Sequence, residues 1–301
     1  MTAAALPVET TSSAHEESPW SRAWRRLKRR KGAMAALVVV VLLILLAVLA
    51  PWVAPYDPTA TSFATVRKPP SWAHWLGTDE VGRDVLSRVI WGARASLSAG
   101  LVSVGIALGV GVPLGLLAGY AGGLIDSVLS RIVDAMLSIP GLLLAFAIVG
   151  VLGRGLTNTM IAVGVILAPA FFRVARASAS TIRQEPYIEA ARSAGCTRRR
   201  LLVRHLLPNA AAPLLVQASV AAGLAIVAEA SLSFLGLGVQ PPDASWGSMI
   251  SEVFRDPNRK LSAMIFPAVM ISLTIVAFSV LGDGLRDAIG RETKVDTTVQ
   301  P

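Results

Sequence analysis

Apolar residues in this chain are gathered into long uncharged runs separated by shorter polar breaks. The first run, from Ala33 to Val53, contains no charged residue. At 1.5 Å of rise per helical residue it suffices to cross a hydrocarbon core of ~30 Å. Comparable runs follow over roughly 96–118, 135–152, 159–172, 213–235 and 264–281. The pattern predicts an all-α integral membrane protein with six transmembrane helices. The basic stretch SRAWRRLKRRKG begins beyond residue 20, the run behind it is long, and Pro51 sits beside the plausible cleavage site. These features predict a retained first span with its N-terminus inside, not a removed signal peptide.

The polar stretches set the organisation. Residues 1–32 form an N-terminal tail, whose first 21 positions are rich in Thr, Ser, Ala and Glu and are expected to be disordered. Residues 33–53 form the first span, and 54–95 form an external segment too rich in proline, tryptophan and charge for lipid. A five-helix core covers 96–285, with a polar loop at 178–212, and 286–301 form a C-terminal tail. Within the external segment, VLSRVIWGA suits an interfacial helix, because Trp favours the headgroup level. GLGVQPPDASWGSMISEVFRDPNRK, between the last two runs, gives a second external segment. Gly105, Gly109, Gly111 and Gly115 in the second run predict a face pressed against another helix. Asp126, Arg131 and Asp134 fall at helical spacing and predict a charge network at a helix end or a contact with a partner, not chemistry.

Composition sharpens the membrane reading. The 301 residues are 53% hydrophobic and 16% charged, against about 25% charged in a soluble domain, and mean hydropathy is +0.60. The formal charge of +9 lies in short blocks beside apolar runs, the distribution of the positive-inside rule. No basic face is interleaved with aromatics, which excludes nucleic acid as a partner. Six spans put both ends on one side, and most of the 28 Lys and Arg then fall inside, so both termini and the 178–212 loop are expected to be cytoplasmic. Cys196 is the single cysteine, and His15, His74 and His205 lack ligand spacing. There is no G-x-x-x-x-G-K-[ST] phosphate loop and no paired acids, triad or metal cluster. The chain is expected to be non-catalytic, with no cofactor of its own.

The densest charge lies mid-chain, in RQEPYIEAARSAGCTRRRLLVRHLLPN at 183–209. Pro186 suits the first turn of a helix, with Glu185 and Glu189 at the end that favours negative charge. Gly195 permits a reversal through left-handed backbone angles, and Thr197 suits an N-cap. Leu201, Leu202, His205 and Leu206 share one face of a second helix, which Pro208 is expected to end. Arg198, Arg199 and Arg200 stand at that helix's positive end. They require anionic headgroups or an acidic partner, unless the loop is simply solvated and holds topology by charge.

The run EAARSAGCTRRRLLVRHLLPN resembles the EAA loop of ATP-binding-cassette importer permeases. Glu189, Ala190, Ala191, Gly195, Leu206 or Leu207, and Pro208 fill its places. LGTDEVGRDVLSRVIWGARASL, AGYAGGLIDSVLSRIVDAMLSIP, EASLSFLGLGVQPPDASWGSMI and LGDGLRDAIGR are similar to the C-type permease of dipeptide and oligopeptide importers. The resemblance implies a type I importer permease fold in the bacterial inner membrane. It implies a second homologous permease, two cytoplasmic ATPase subunits that bind ATP and Mg, and an extracytoplasmic binding protein. Glu189, Ala190, Ala191, Gly195, Arg198, Arg199, Leu206 and Pro208 would be the ATPase-coupling residues. The expected substrate is a di- or oligopeptide, with nickel chelate or glutathione as alternatives within the family. An ion-coupled secondary transporter is the less favoured reading, because no internal repeat is visible. Glu229 is the lone carboxylate of a predicted span, and intramembrane acids face cavities or partners; it is a candidate for the pathway, for a structural hydrogen bond at the gate, or for pairing with the second permease.

Overall fold

The structure, a computed structural model, describes residues 19–256 and 262–289. The tail over 1–18 with His15, the stretch 257–261 and the tail beyond Ile289 lie outside the described residues. The regular elements of the described chain are helices, with one isolated β-bridge between Thr78 and Asp84. Helix α1 covers Pro19–Lys28, α2 Lys31–Val48 and the short α3 Ala50–Val53. A loop leads to α4, Val85–Ala121, followed by α5, Gly123–Leu137, α6, Gly141–Leu152, and α7, Leu156–Ile182. The polar mid-chain stretch holds α8, Pro186–Ser193, and α9, Arg198–Leu201. Then come α10, Leu207–Phe234, α11, Trp246–Arg255, and α12, Ser262–Ile289.

Five helical stretches are long and apolar enough to cross a membrane; α5 and α6, bent by 92° at their break, supply a sixth crossing if taken as one broken span. The third predicted span, 135–152, is therefore not one straight helix. Pro140 has no N–H to donate and biases Ile139 away from helical angles, so the helix stops and restarts.

Helices α4 and α7 form the centre. Gly111, Gly115 and Gly119 lie against Ala168, Phe172 and Arg176 so closely that any Cβ would run into backbone carbonyls. The register is constant along the seam, so the two helices are parallel. Small residues at i, i+4 and i+8 let the backbones touch where lipid gives no hydrophobic drive for association. Two parallel spans need a return crossing between them, which is the place of α5 and α6. Of the glycines expected at this face, Gly111 and Gly115 make the contact, whereas Gly105 and Gly109 face open space.

Around this pair α10 runs antiparallel to α12, with Gly282 against Ser219 and Gly223 against Phe278. Helix α2 packs on α12 through Ala33 and Gly284. Arg26 Nη1 donates to the Ala288 carbonyl (3.3 Å), and Arg30 pairs with Asp287. The described N- and C-terminal ends thus lie at one end of the bundle. The outer faces of α2, α5 and α6 expose Val38, Leu42, Leu124, Leu143 and Phe146, as a lipid-facing surface should.

Helix ends differ from the hydropathy boundaries. Helix α4 begins at Val85, inside the segment expected to be external up to residue 95, and α7 continues ten residues past Phe172 to Ile182. Charged residues stop a hydropathy window but not a helix, because the backbone ladder continues wherever the charges find partners.

Candidate functional site

The elbow at the end of the bundle that holds the described chain ends is built by local chemistry. Pro186 opens α8, and Gly195 closes it at φ 79°. The Gly195 N–H bonds the Arg192 carbonyl (2.9 Å) and the Cys196 N–H bonds the Ala191 carbonyl (3.0 Å), the paired bonds of a Schellman stop. A Cβ at position 195 would meet nothing within 4 Å, so the backbone angle, not crowding, demands glycine. Thr197 then caps the next helix, its side chain accepting from the Arg200 N–H at 3.4 Å.

That helix does not end at Pro208, as the sequence suggested, nor does another begin at Pro213. A wide turn over Leu202–Leu206 carries a bond from the Leu207 N–H to the Leu202 carbonyl, five residues back. The widened turn makes room for a proline ring that a regular α-turn would reject, so the helix runs unbroken from Arg198 to Phe234. Asn209 Nδ2 reinforces it, donating to the His205 carbonyl (2.6 Å) and to Tyr187 Oη (3.3 Å). The Tyr187 and His205 rings lie 6.4 Å apart, and burial, followed by the Glu185 charge, holds the Tyr187 phenol above its ordinary value.

The elbow has two faces. Ile188, Leu201 and Leu206 are fully buried in the bundle core. Glu189, Ala190, Arg198, Arg199, Arg200 and Pro208 are exposed, and Ala191 is half-buried. Leu206, grouped by sequence with the outward-acting residues, instead points into the chain's own core. Among the described residues, Arg198, Arg199 and Arg200 make no ion pair. Nearby, Arg176 Nη2 donates to Asp126 Oδ2 (2.7 Å) and Arg173 Nη2 to Asp134 Oδ1 (2.9 Å). These pairs tie α5 to α7 just above the elbow. Arg131, expected in the same network, is absent from both pairs.

The opposite end is a platform of loop 54–84, the start of α4 and α11. Asp84 caps α4: its Oδ2 accepts from the Ser87 N–H and Oγ (both 2.8 Å), and its Oδ1 lies 2.9 Å from His74 Nδ1. Arg88 is almost wholly buried, and its Nη2 donates to both Glu252 oxygens at 2.9 and 2.7 Å. Arg83 bridges Asp79 (2.6 Å) and Glu252 (3.0 Å), and Arg67 forks onto Asp256 at 3.0 and 2.7 Å. The Glu80 carboxyl is raised above its ordinary range by burial first and then by the neighbouring carboxylates, chiefly Glu252. Sequence reading missed this network; charges at 79, 83, 84 and 88 at helical spacing were its only signal. A cavity of about 400 Å³ lies between this loop, α11 and the start of α12. No cluster among the described residues has the make-up of a metal site.

Glu229 joins α10 to this platform. It is 1% exposed and accepts from Ser233 Oγ at 2.6 Å, with the Ser96 and Ser245 hydroxyls as further polar neighbours. Beside it Trp246 is sealed between α4 and α10, its Nε1 donating to the Val89 carbonyl at 3.0 Å. Of the readings open for Glu229, this placement fits the structural hydrogen bond. Its other oxygen, Oε2, is buried with no hydrogen-bond partner among the described residues.

Comparisons with known proteins agree with this architecture. Residues 111–295 match the family described as binding-protein-dependent transport system inner membrane component. Residues 18–70 match the N-terminal TM domain of oligopeptide transport permease C. The glutathione transport system permease protein GsiD of Pectobacterium atrosepticum is 43% identical over 292 residues, 97% of this chain and 96% of that protein. GsiD of Escherichia coli O157:H7 is 44% identical over 278 residues, 92% of each. Among solved structures, the inward-facing MetNI methionine ABC transporter shares the fold, with a TM-score of 0.55 at 21% identity over 67% of this chain and 97% of that chain. The chain therefore belongs to the family of binding-protein-dependent transport system inner membrane components, and is a multi-pass inner-membrane permease of the ATP-binding-cassette importer kind.

Proposed function

We propose that this permease forms half of an import pathway for a short peptide of the glutathione class, driven through its elbow by separate ATPase subunits. The elbow end and both termini are then cytoplasmic, and the platform faces the binding protein. A second homologous permease completes the pathway. The observation that carries the reading is the two-faced elbow. Ile188, Leu201 and Leu206 seat it in the core, while Glu189, Ala190, Arg198 and Arg199 project from it. Three cations at the positive end of a long helix are unfavourable alone, and an acidic groove on an ATPase would relieve them. A push on this elbow passes directly into α10, because no break separates Arg198 from Phe234.

Glutathione is favoured because it is named for relatives that match nearly the whole chain. A di- or oligopeptide is the second reading, supported by the match of residues 18–70 to oligopeptide permease C. The test reconstitutes the permease with its partner subunits and measures uptake of labelled glutathione and of a dipeptide, wild type against Gly195→Val. Glutathione uptake that fails in the variant, with membrane insertion intact, is the expected result. Normal uptake by Gly195→Val refutes coupling through the elbow, and uptake of the dipeptide alone refutes the glutathione assignment.

A further inference from the structure

The platform end holds a second cavity of about 230 Å³, between the turn before α7, the turn after α10, and α11. Two arginines from different elements line it, Arg154 and Arg255. Arg154 sits between Gly153 (φ 94°) and Gly155 (φ 131°). That turn is pinned across the cavity by the Gly155 N–H bond to the Leu237 carbonyl at 3.0 Å. Arg255 ends α11 and lies over Gly236, where a Cβ would meet its Nη2 at 3.3 Å. Both guanidinium groups are thus carried by backbone that is fixed relative to the other.

The remaining polar groups of the wall are already engaged. Glu252, the one acid lining the cavity, is held by Arg83 and Arg88. Ser233, Ser248 and Ser251 donate their hydroxyls to Glu229, the Ser245 carbonyl and the Phe234 carbonyl. The Gln240 amide donates to the Gly236 and Gly238 carbonyls. Among the described residues neither the Arg154 nor the Arg255 side chain has an ion pair or hydrogen bond, so the free side-chain donors of the cavity are theirs. The N-terminus of the 27-residue α7, with no side chain capping it, adds positive potential at the same place. A guanidinium fork prefers the two coplanar oxygens of a carboxylate.

We propose that Arg154 and Arg255 together receive a carboxylate of the transported solute at the platform end of the pathway. The inference rests on the importer reading above. The cavity is recessed between the ends of two spanning helices, α7 and α10, and its volume suits a residue-sized acid. The cavity therefore adjoins α10, the helix through which the elbow would act.

The test uses the permease purified with its partner subunits in neutral phosphatidylcholine nanodiscs. Binding of glutathione and of glutathione diethyl ester, whose carboxylates are masked, is measured for wild type, Arg154→Gln and Arg255→Gln. Loss of one charge-assisted hydrogen bond corresponds to about a tenfold loss of affinity. Glutathione should bind about tenfold more weakly to each variant, and the ester should bind weakly to all three proteins. Equal binding of acid and ester, or unchanged glutathione binding in both variants, overturns the proposal. Normal solute binding with impaired docking of the binding protein also overturns it, and reassigns the arginines to an acidic side chain of that protein. Glutathione uptake that persists in both variants while Gly195→Val abolishes it would sink the carboxylate site and leave the importer reading intact.

Discussion

The two ends of the bundle treat charge in opposite ways. On the platform, Arg67, Arg83 and Arg88 are each matched to carboxylates of Asp79, Glu252 or Asp256, and Arg88 is almost wholly buried. At the elbow Arg198, Arg199 and Arg200 are exposed with no ion pair among the described residues, and the shape is held by backbone caps and three buried aliphatic side chains. A buried ion pair belongs to the fold, because removing one partner leaves a desolvated charge. An exposed row of like charges on a rigid base contributes little to the fold and is free to serve a partner. Charge therefore builds the platform, whereas at the elbow it is presented.

The contrast is open to experiment. Arg88→Met should lower stability by about 3–5 kcal/mol, read as a loss of melting temperature in detergent. Arg88→Met with Glu252→Met should recover much of that loss, and no recovery would mean that the pair does not hold the platform. Gly195→Val forces a branched residue to positive φ, at a cost of about 1–2 kcal/mol. It should nevertheless abolish uptake and ATPase coupling, an effect on function out of proportion to its effect on melting. Arg198→Gln with Arg199→Gln should leave melting unchanged and weaken ATPase association about fivefold, with a shallower salt dependence. Equal association for wild type and variant across a salt series would remove the arginines from the docking face.

The smallest effect is at Glu80, whose carboxyl is raised by burial and by Glu252 and Asp256. The folded state then binds its proton more tightly than the unfolded state. Its charge costs stability as pH rises above the ordinary carboxylate value of 4.5, and that cost is absent well below it. Glu80→Gln should raise the melting temperature slightly at neutral pH and leave it unchanged at acid pH. A lower melting temperature at neutral pH would reverse the sign and refute the cause.

Much of the fold was legible because lipid imposes a simple rule: long uncharged runs span, and charged breaks do not. The elbow was legible for a local reason. A proline that opens a helix, a glycine that must adopt positive φ and a threonine that caps the next turn act within four residues of themselves. The same local reasoning failed at Pro208, because a proline ends a regular helix but passes through a widened turn. It did not show that the helix expected at VLSRVIWGA continues unbroken into the span as α4, around a buried Arg88. Its partner Glu252 is distant in sequence and visible only once α11 is docked.

By itself, the sequence determined the membrane class, the approximate spans and the corner at Gly195. All of these depend on composition or on neighbours within a turn or two. Tertiary structure alone decided that α4 and α7 run parallel along a glycine seam, that Leu206 faces inward, and that Glu229 is buried beside Ser233. It also decided that Arg154 and Arg255 share one cavity. The reason is physical: which face of a helix is buried, and which charge is matched, depends on residues brought from far along the chain.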